Sequence, residues 1–216
     1  MIYRKKDIII AIILTIFIIS FAIVFTVFFK PLYYFDINYL NIDELSGLSS
    51  TLIKKNYDIL INYQSIFYQG DLYLPDFTMS VFGKIHFEEV KRIFEIIQIL
   101  MISSGLIGIF LVTRQIRKKE YRFFRLTGIL SIVLPLFLGI LAAINFDEIF
   151  IIFHRLVFRN DYWIFDAQLD PVITILPENF FFHCLMLIIF IVIFLATCCL
   201  LFYRFKQRKI ISDTNL

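Results

Sequence analysis

Two histidines stand where an imidazole could act as a base at a membrane surface. His86 precedes one long apolar run and His154 follows the next, so consecutive spans would bring both to the same face of the membrane. An imidazole with a pKa near about 6.5 can accept a proton at neutral pH, as a general base must. We predict that His86 and His154 form a catalytic pair, although a single histidine at such a boundary is more often a hydrogen-bonded structural residue. His183, inside an apolar run, is a weaker candidate.

Several carboxylates could orient these imidazoles. Glu89 follows His86 by three positions and would share its face of a helix. Asp161, Asp166 and Asp170 belong to a polar stretch that also holds the only tryptophan. A carboxylate beside an imidazole fixes its tautomer and raises its basicity. The alternatives are structural, since Glu89 would also favour a helix start through the macrodipole and the aspartates would also form turns.

The same residue types could hold a metal, because two histidines and several carboxylates can bind zinc. The sequence contains neither an HExxH motif nor a CxxC pair, and Cys184, Cys198 and Cys199 all fall in the last apolar run. It also lacks the GxSxG turn that presents a serine nucleophile. We therefore predict a site without a metal or another cofactor.

Four apolar runs must position these residues. Each is long enough to cross roughly 30 Å of hydrocarbon, which takes about 20 helical residues. A chain that is 60% hydrophobic with a mean hydropathy of +0.82 is typical of an integral membrane protein, not of a soluble domain. The predicted spans are residues 8–29, 93–112, 126–145 and 180–203. We treat 1–216 as one membrane domain with outer segments 30–92 and 146–179.

Charge orients the spans. Most of the 21 lysines and arginines lie near the two termini and in loop 114–125, whereas most of the 18 acids lie in the outer segments. Cytoplasmic loops of membrane proteins carry an excess of basic residues, so we predict cytoplasmic termini and an active site at the outer face. The basic loop then serves as a topology anchor, and nucleic-acid binding is not expected.

The first outer segment predicts mixed secondary structure. Tyr34–Leu40 is interpreted as a short strand, and Ser50 is predicted to cap a helix that runs from Leu52 to Phe67. A further helix is expected to start near His86 and to continue into the second span. Leu72–Phe77 alternates weakly and is interrupted by Pro75.

The second outer segment predicts a hairpin. Tyr162–Phe165 and Val172–Leu176 are rich in aromatic and β-branched residues, and turn-forming residues separate them. The predicted fold class is therefore a mainly α membrane protein, in which four transmembrane helices carry a small extracytoplasmic α+β cap built from the two outer segments.

The polar residues together resemble a bacterial family of four-span proteins. One block, His86-x-x-Glu89-Val90-Lys91-x-x-Phe94, stands before a span. The second block consists of Phe153, His154, Phe158, Asn160, Asp161, Trp163, Asp166, Asp170, Pro177, Glu178, Phe180 and Phe181. This arrangement is similar to that of the lipoprotein intramolecular transacylase (Lit) family, and the resemblance covers nearly the whole chain. Arg155 and Ala167 depart from the pattern, in which an acid and a proline often stand there.

The resemblance implies a reaction. Members of the family move an acyl chain from the diacylglyceryl group on a lipoprotein's N-terminal cysteine to that cysteine's own α-amino group, which leaves a lyso-form N-acylated lipoprotein. It implies diacylated lipoproteins and membrane lipid as partners, and the bacterial cytoplasmic membrane as the location. The paired histidines of the family correspond to His86 and His154. The residues expected to bind or orient the substrate are Glu89, Arg159, Asn160, Trp163, Asp166 and Asp170.

The implied chemistry suits a histidine base. The attacking α-amine has a pKa of about 7.7–8.0 and must lose a proton, and its attack within one molecule gains from orientation alone. We expect His154 to be the base and His86 to hydrogen-bond the ester or relay the proton, but the roles could be exchanged. Two other functions stay open: a metal-assisted hydrolase of membrane lipid or cell-envelope precursors, and a non-enzymatic membrane adaptor.

Overall fold

A computed structural model describes residues 3–214, apart from the side chains at 134, 210, 211, 213 and 214, and it contains no strand in that range. The helices are α1 (Lys5–Phe28), α2 (Lys30–Tyr39), α3 (Ile42–Ser46), α4 (Ser50–Tyr63), α5 (Val81–Arg117), α6 (Arg122–Ile144), α7 (Phe146–Val157) and α8 (Glu178–Thr214), with a 3-10 helix at Pro171–Ile175. Helices α1, α5, α6 and the Glu178–Lys209 part of α8 are long and apolar enough to cross a membrane. The chain is thus a mainly helical membrane protein with four candidate spans.

Parts of these four helices form one compact unit, which falls within Met1–Val24, Ile97–Ile140 and Leu187–Leu216. Buried contacts between α1 and α8 involve Ile18, Ala22 and Val192. Helices α6 and α8 approach closely at Gly128, where an added Cβ would overlap α8. Small residues serve the same purpose in other membrane helix pairs, because they let the backbones come together.

The second compact unit comprises Phe25–Ile96 and Leu141–Met186, and it contains every predicted site residue. The rings of Tyr33 and Tyr57 stack with centroids 3.6 Å apart, and Phe180 meets both rings edge-on. The Tyr33 hydroxyl donates a hydrogen bond of 2.6 Å to the Ile175 carbonyl oxygen, which ties α2 to the 3-10 helix. Aromatic packing between helices is therefore one part of this core, and buried aliphatic side chains form the rest.

The predicted strand Tyr34–Leu40 is wrong, because these residues belong to α2. Pro31 stands in the first turn, where the N–H that it lacks would have no partner in the helix anyway. Tyr33, Asp36 and Ile37 are the buried residues of α2, and their spacing is that of one helical face. Strand propensity mostly measures how a side chain fits its surroundings, so packing against α4 overrides it here.

The predicted hairpin of Tyr162–Phe165 and Val172–Leu176 is wrong as well. Its first half lies among turns, and most of its second half is the 3-10 helix Pro171–Ile175. Proline has no N–H to offer a strand ladder, and the Ile173 N–H bonds three residues back along the chain instead. Leu72–Phe77 contains a turn and no strand. The α+β cap is therefore not supported.

Two helix starts also differ from expectation. Helix α5 begins at Val81, so His86 lies inside it and ahead of the apolar run. Helix α7 was not predicted, although its start has a clear signal. The Asn145 side chain accepts a hydrogen bond of 3.2 Å from the Glu148 N–H, and Asp147 adds a second acid to the first turn.

Candidate active site

His86 and His154 lie beside each other, with ring centroids 6.3 Å apart. The first is held by α5 and the second by the last turn of α7. Rings at this separation can both reach one reacting group, or share one water molecule, within hydrogen-bond distance. The structure thus brings together the two histidines that the sequence places far apart.

Aromatic rings surround the pair. The Phe158 ring lies 4.7 Å from His86 and 5.7 Å from His154, centroid to centroid, so it contacts both imidazoles. Phe165 lies 5.4 Å from His86, and Trp163 lies 4.8 Å from His154. Phe158 and Phe165 were not predicted as site residues. These apolar rings form walls of the site that exclude water, and hydrogen bonds made inside the site are stronger as a result.

His154 has a defined tautomer. Its Nδ1 lies 2.7 Å from the carbonyl oxygen of Phe150, one turn earlier in α7. Because a carbonyl oxygen only accepts hydrogen bonds, Nδ1 carries the proton in the neutral ring, and Nε2 keeps a lone pair. Burial lowers the pKa of His154 below its ordinary value of 6.5, and the bond to Phe150 opposes that shift. The neutral form therefore dominates at pH 7.

His86 is more deeply buried, with 6% of its surface exposed. It precedes the apolar run of α5, and burial lowers the pKa of its imidazole to about 4, assisted by the proximity of His154. Its Nδ1 is buried and has no hydrogen-bond partner among the described residues. An unpaired buried polar atom is costly, so a site that leaves one beside a second imidazole is suited to an added ligand.

Asp170 holds the beginning of α5. One of its carboxylate oxygens accepts a bond from the Ser80 N–H and the other from the Ser80 hydroxyl, both at 2.7 Å. The same hydroxyl accepts a bond of 2.9 Å from the Gly83 N–H, so Ser80 caps the helix that carries His86. Gly83 has no Cβ, and one built there would overlap the Asp170 carboxylate. A serine three residues before a glycine, ahead of a helical pattern, was a signal for this cap.

Asn160 joins the two histidine-bearing segments. Its side-chain NH₂ donates to both carboxylate oxygens of Glu89, at 2.9 and 3.2 Å. Its side-chain oxygen accepts from the Tyr162 N–H at 3.0 Å, and its backbone oxygen accepts from the Trp163 indole at 3.1 Å. Glu89 lies one turn after His86 on α5. The network thus fixes Trp163 against His154 and the loop against α5.

Among the described residues, Arg159 and Asp166 take no part in the contacts around His86 and His154. Asp166 is exposed, and its carboxylate accepts a bond of 2.8 Å from the Gln168 N–H within a turn. Arg159 is exposed and lines a neighbouring cleft. Their assignment to substrate binding or orientation stays a prediction.

His183 takes part in a separate contact. Its Nδ1 lies 2.8 and 2.9 Å from the two carboxylate oxygens of Asp36, which is fully buried in α2. This pair links α8 to α2 and supports a structural role for His183. Among the described residues, no group of three or more histidine, cysteine, aspartate or glutamate side chains is arranged to hold a metal ion.

Comparisons with known proteins agree with one another. The sequence model of the family described as "Lipoprotein intramolecular transacylase Lit" matches residues 8–181. The structure of the membrane-integral lipoprotein intramolecular transacylase Lit from Bacillus cereus is 38% identical, with a TM-score of 0.93 over 95% of this chain and 96% of that one.

Two further structures of the Bacillus cereus protein, in which a histidine is replaced, are also similar. The arginine variant is 37% identical, with a TM-score of 0.87 over 97% of this chain and 94% of that one. The alanine variant is 38% identical, with a TM-score of 0.86 over 95% and 94%. No curated protein sequence matches the chain.

Proposed function

Because the chain belongs to the lipoprotein intramolecular transacylase family Lit, we propose that it moves an acyl chain within a lipoprotein. The acyl chain leaves the diacylglyceryl group on the N-terminal cysteine and joins the α-amino group of that same cysteine. The product is a lyso-form N-acylated lipoprotein. The agreement of the family model with structures similar over almost the entire chain favours this function over a metal-assisted hydrolase or a non-enzymatic adaptor.

The observation that carries the catalytic assignment is the 6.3 Å separation of the His86 and His154 rings. The bond from His154 to Phe150 supports His154 as the general base, since it leaves the lone pair of Nε2 available. His86 then donates a hydrogen bond to the ester oxygen as it becomes negative. One such donor typically stabilises a tetrahedral intermediate by about 3–4 kcal/mol.

The reaction needs no water and no added nucleophile. The amine nitrogen attacks the ester carbonyl carbon while Nε2 of His154 accepts the amine proton. The oxyanion collapses, the bond from carbon to the glyceryl oxygen breaks, and His154 returns the proton to that oxygen. An amide and a free glyceryl hydroxyl result. Amine and ester belong to one substrate, so correct orientation supplies much of the rate enhancement.

The remaining polar residues would position these groups. Asp170 acts through Ser80 and α5, whereas Asn160 and Glu89 act through the loop that carries Trp163. Asp170, Ser80, Asn160 and Glu89 are therefore positioning residues in this proposal. The excess of basic residues at the termini and in loop 114–125 supports a topology with both termini in the cytoplasm. The histidines would then lie at the outer face of the bacterial cytoplasmic membrane, where diacylated lipoproteins are anchored.

The experiment is mass spectrometry of lipoprotein N-terminal peptides from a bacterial host that lacks such a transacylase. We expect the wild-type chain to convert diacylglyceryl peptides into lyso-form N-acylated peptides, and the His154→Ala variant to leave them unconverted. Arg155→Ala is the matched control, because this exposed neighbour in α7 has no assigned role. Full conversion by His154→Ala would refute the proposed base, and no conversion by the folded wild-type chain would refute the function.

A further inference from the structure

A cleft of about 310 Å³ opens beside the histidine pair. Phe158, the ring that contacts both imidazoles, forms part of its wall. Arg92 on α5 and Arg159 after α7 contribute the cationic lining, and Ile93 and Val157 contribute the apolar lining. The two arginines therefore reach one small space from separate segments of the chain.

The cleft carries an excess of positive charge. Arg92 and Arg159 are both exposed, and within residues 3–214 neither guanidinium group forms an ion pair or a hydrogen bond with another residue. Glu89 is the only acid in the lining, and its carboxylate accepts both of its contacts from Asn160. Two arginines and one carboxylate in the lining leave a net charge of +1, so a single monoanion would neutralise the cleft.

The chemistry of the lining matches a phosphodiester. Guanidinium groups present paired N–H donors whose geometry fits phosphate oxygens, and such charge-assisted bonds are among the strongest that proteins make. A lipid phosphodiester carries one negative charge. The apolar side chains of Ile93 and Val157 suit the glycerol and the first methylenes that follow it. Ile93 also begins the predicted span 93–112, so the cleft lies where headgroups meet hydrocarbon.

We propose that this cleft is a binding site for the phosphodiester headgroup of a membrane phospholipid, held between Arg92 and Arg159. This ligand is distinct from the lipoprotein substrate, whose diacylglyceryl group has no phosphate. The site does not depend on the transacylase function, because binding can be measured without turnover. A bound headgroup would cover one wall of the histidine pair through Phe158.

The test is native mass spectrometry of the full chain released from detergent micelles that contain one added lipid. Phosphatidylglycerol and diacylglycerol with the same acyl chains differ in the phosphate-bearing headgroup, so they form the matched ligand pair. We expect a one-to-one adduct with phosphatidylglycerol and little with diacylglycerol. The double variant Arg92→Gln/Arg159→Gln should bind phosphatidylglycerol at least about tenfold more weakly, since two charge-assisted contacts are lost.

Arg155→Gln is the matched control, because it removes one exposed arginine of α7 that does not line the cleft. Equal binding of the two lipids, or equal loss in the control and double variants, would overturn the proposal. Displacement of the lipid by an acidic peptide would overturn it too, in favour of a protein ligand. Displacement by inorganic phosphate would support phosphate recognition in the cleft and would show that free phosphate can also occupy it.

Folding of the double variant is checked through its thermal unfolding midpoint. If that midpoint falls, Arg92→Lys/Arg159→Lys replaces it, because lysine keeps the charge but cannot form the paired N–H contacts. Weaker phosphatidylglycerol binding by the folded lysine variant supports the site, and unchanged binding refutes the paired-contact geometry. Transacylation by the same samples is measured separately, so failure of the lipid site and failure of the enzyme can be told apart.

Discussion

Nδ1 of His154 lies 2.7 Å from the carbonyl oxygen of Phe150, one turn earlier in the same helix. In the proposed mechanism, this bond supports different roles for two histidines that the sequence leaves interchangeable. It assigns the ring proton of His154 to Nδ1 and leaves a lone pair on Nε2, whereas Nδ1 of His86 is buried without a partner among the described residues. Substitution of His154 and substitution of His86 should therefore have different effects on the kinetics.

Replacing the two histidines should give different pH profiles as well as low rates. We expect His154→Ala to lower kcat by about 10²–10⁴-fold, as loss of a general base does. His86→Ala should lower kcat by about 10²–10³-fold through loss of one oxyanion donor. The measurement is the steady-state rate of transacylation of a diacylglyceryl lipopeptide at saturating concentration in proteoliposomes.

The residual activity of each variant distinguishes the roles. Without its base, the His154→Ala enzyme should gain rate steadily with increasing pH, because hydroxide replaces the lost group. The His86→Ala enzyme should keep the wild-type profile at a lower level. The opposite pattern would exchange the two roles.

Titration of His154 should appear in mild acid in the wild-type rate. Burial lowers the pKa of His154 below 6.5, so the folded enzyme takes up this proton only as the pH falls below that value. The attacking amine titrates separately, with a pKa of about 7.7–8.0. The single-turnover rate should therefore fall in two steps as the pH decreases, and the lower step, which belongs to His154, should lie below pH 6.5.

The Phe158→Ala variant tests whether burial lowers the pKa of His154 and so sets the pH of this step. Removal of the ring that contacts both imidazoles lets water reach them, which should raise the pKa of His154 towards 6.5 and move this step upwards. The His154 step is the one that His154→Ala lacks. If this step lies above pH 6.5 in the wild type, or does not move in Phe158→Ala, burial is not the cause of the shift.

Gly83→Ala tests how closely α5 and Asp170 approach each other. In an ordinary helix this substitution stabilises by up to about 1 kcal/mol. Here the added Cβ would overlap the Asp170 carboxylate and come within 3.1 Å of the Phe165 ring, so we expect destabilisation and loss of activity instead. Thermal unfolding in detergent gives the sign. Lys84→Ala, at an exposed neighbour, should leave the midpoint nearly unchanged, and a higher midpoint for Gly83→Ala would show that the contact yields easily.

Asn160→Asp should reduce activity and a second substitution should restore it. The variant faces the Glu89 carboxylate with another carboxylate at about the distance of the present 2.9 Å bond. We expect kcat to fall about 10- to 100-fold, since a hydrogen bond to a charged group contributes about 1.5–3 kcal/mol. In Glu89→Gln/Asn160→Asp the amide and carboxylate are exchanged, and activity should recover in large part. Additive losses in this double-mutant cycle would exclude the bond as the cause.

The sequence predicts the four candidate spans of this protein better than the structure of the segments 30–92 and 146–179. Apolar runs long enough to span a bilayer are visible locally, and α1, α5, α6 and α8 contain them. In the segments between the spans, local strand propensity gave wrong predictions. Tyr34–Leu40 has strand propensity but belongs to α2, whose buried residue Tyr33 stacks on Tyr57. The turn-rich residues after His154 satisfy their backbone locally instead of pairing as strands.

Residue type and hydropathy alone identify the histidines, their place at the ends of apolar runs, and the charge asymmetry, because each of these is a property of a short stretch of chain. The distance between the rings, the tautomer of His154 and the two supporting contacts follow only from the folded molecule. Asn160 and Glu89 are 71 positions apart, and Ser80 and Asp170 are 90 positions apart. Contacts over such separations depend on how α5, α7 and the loop after α7 pack, and no local pattern encodes that packing.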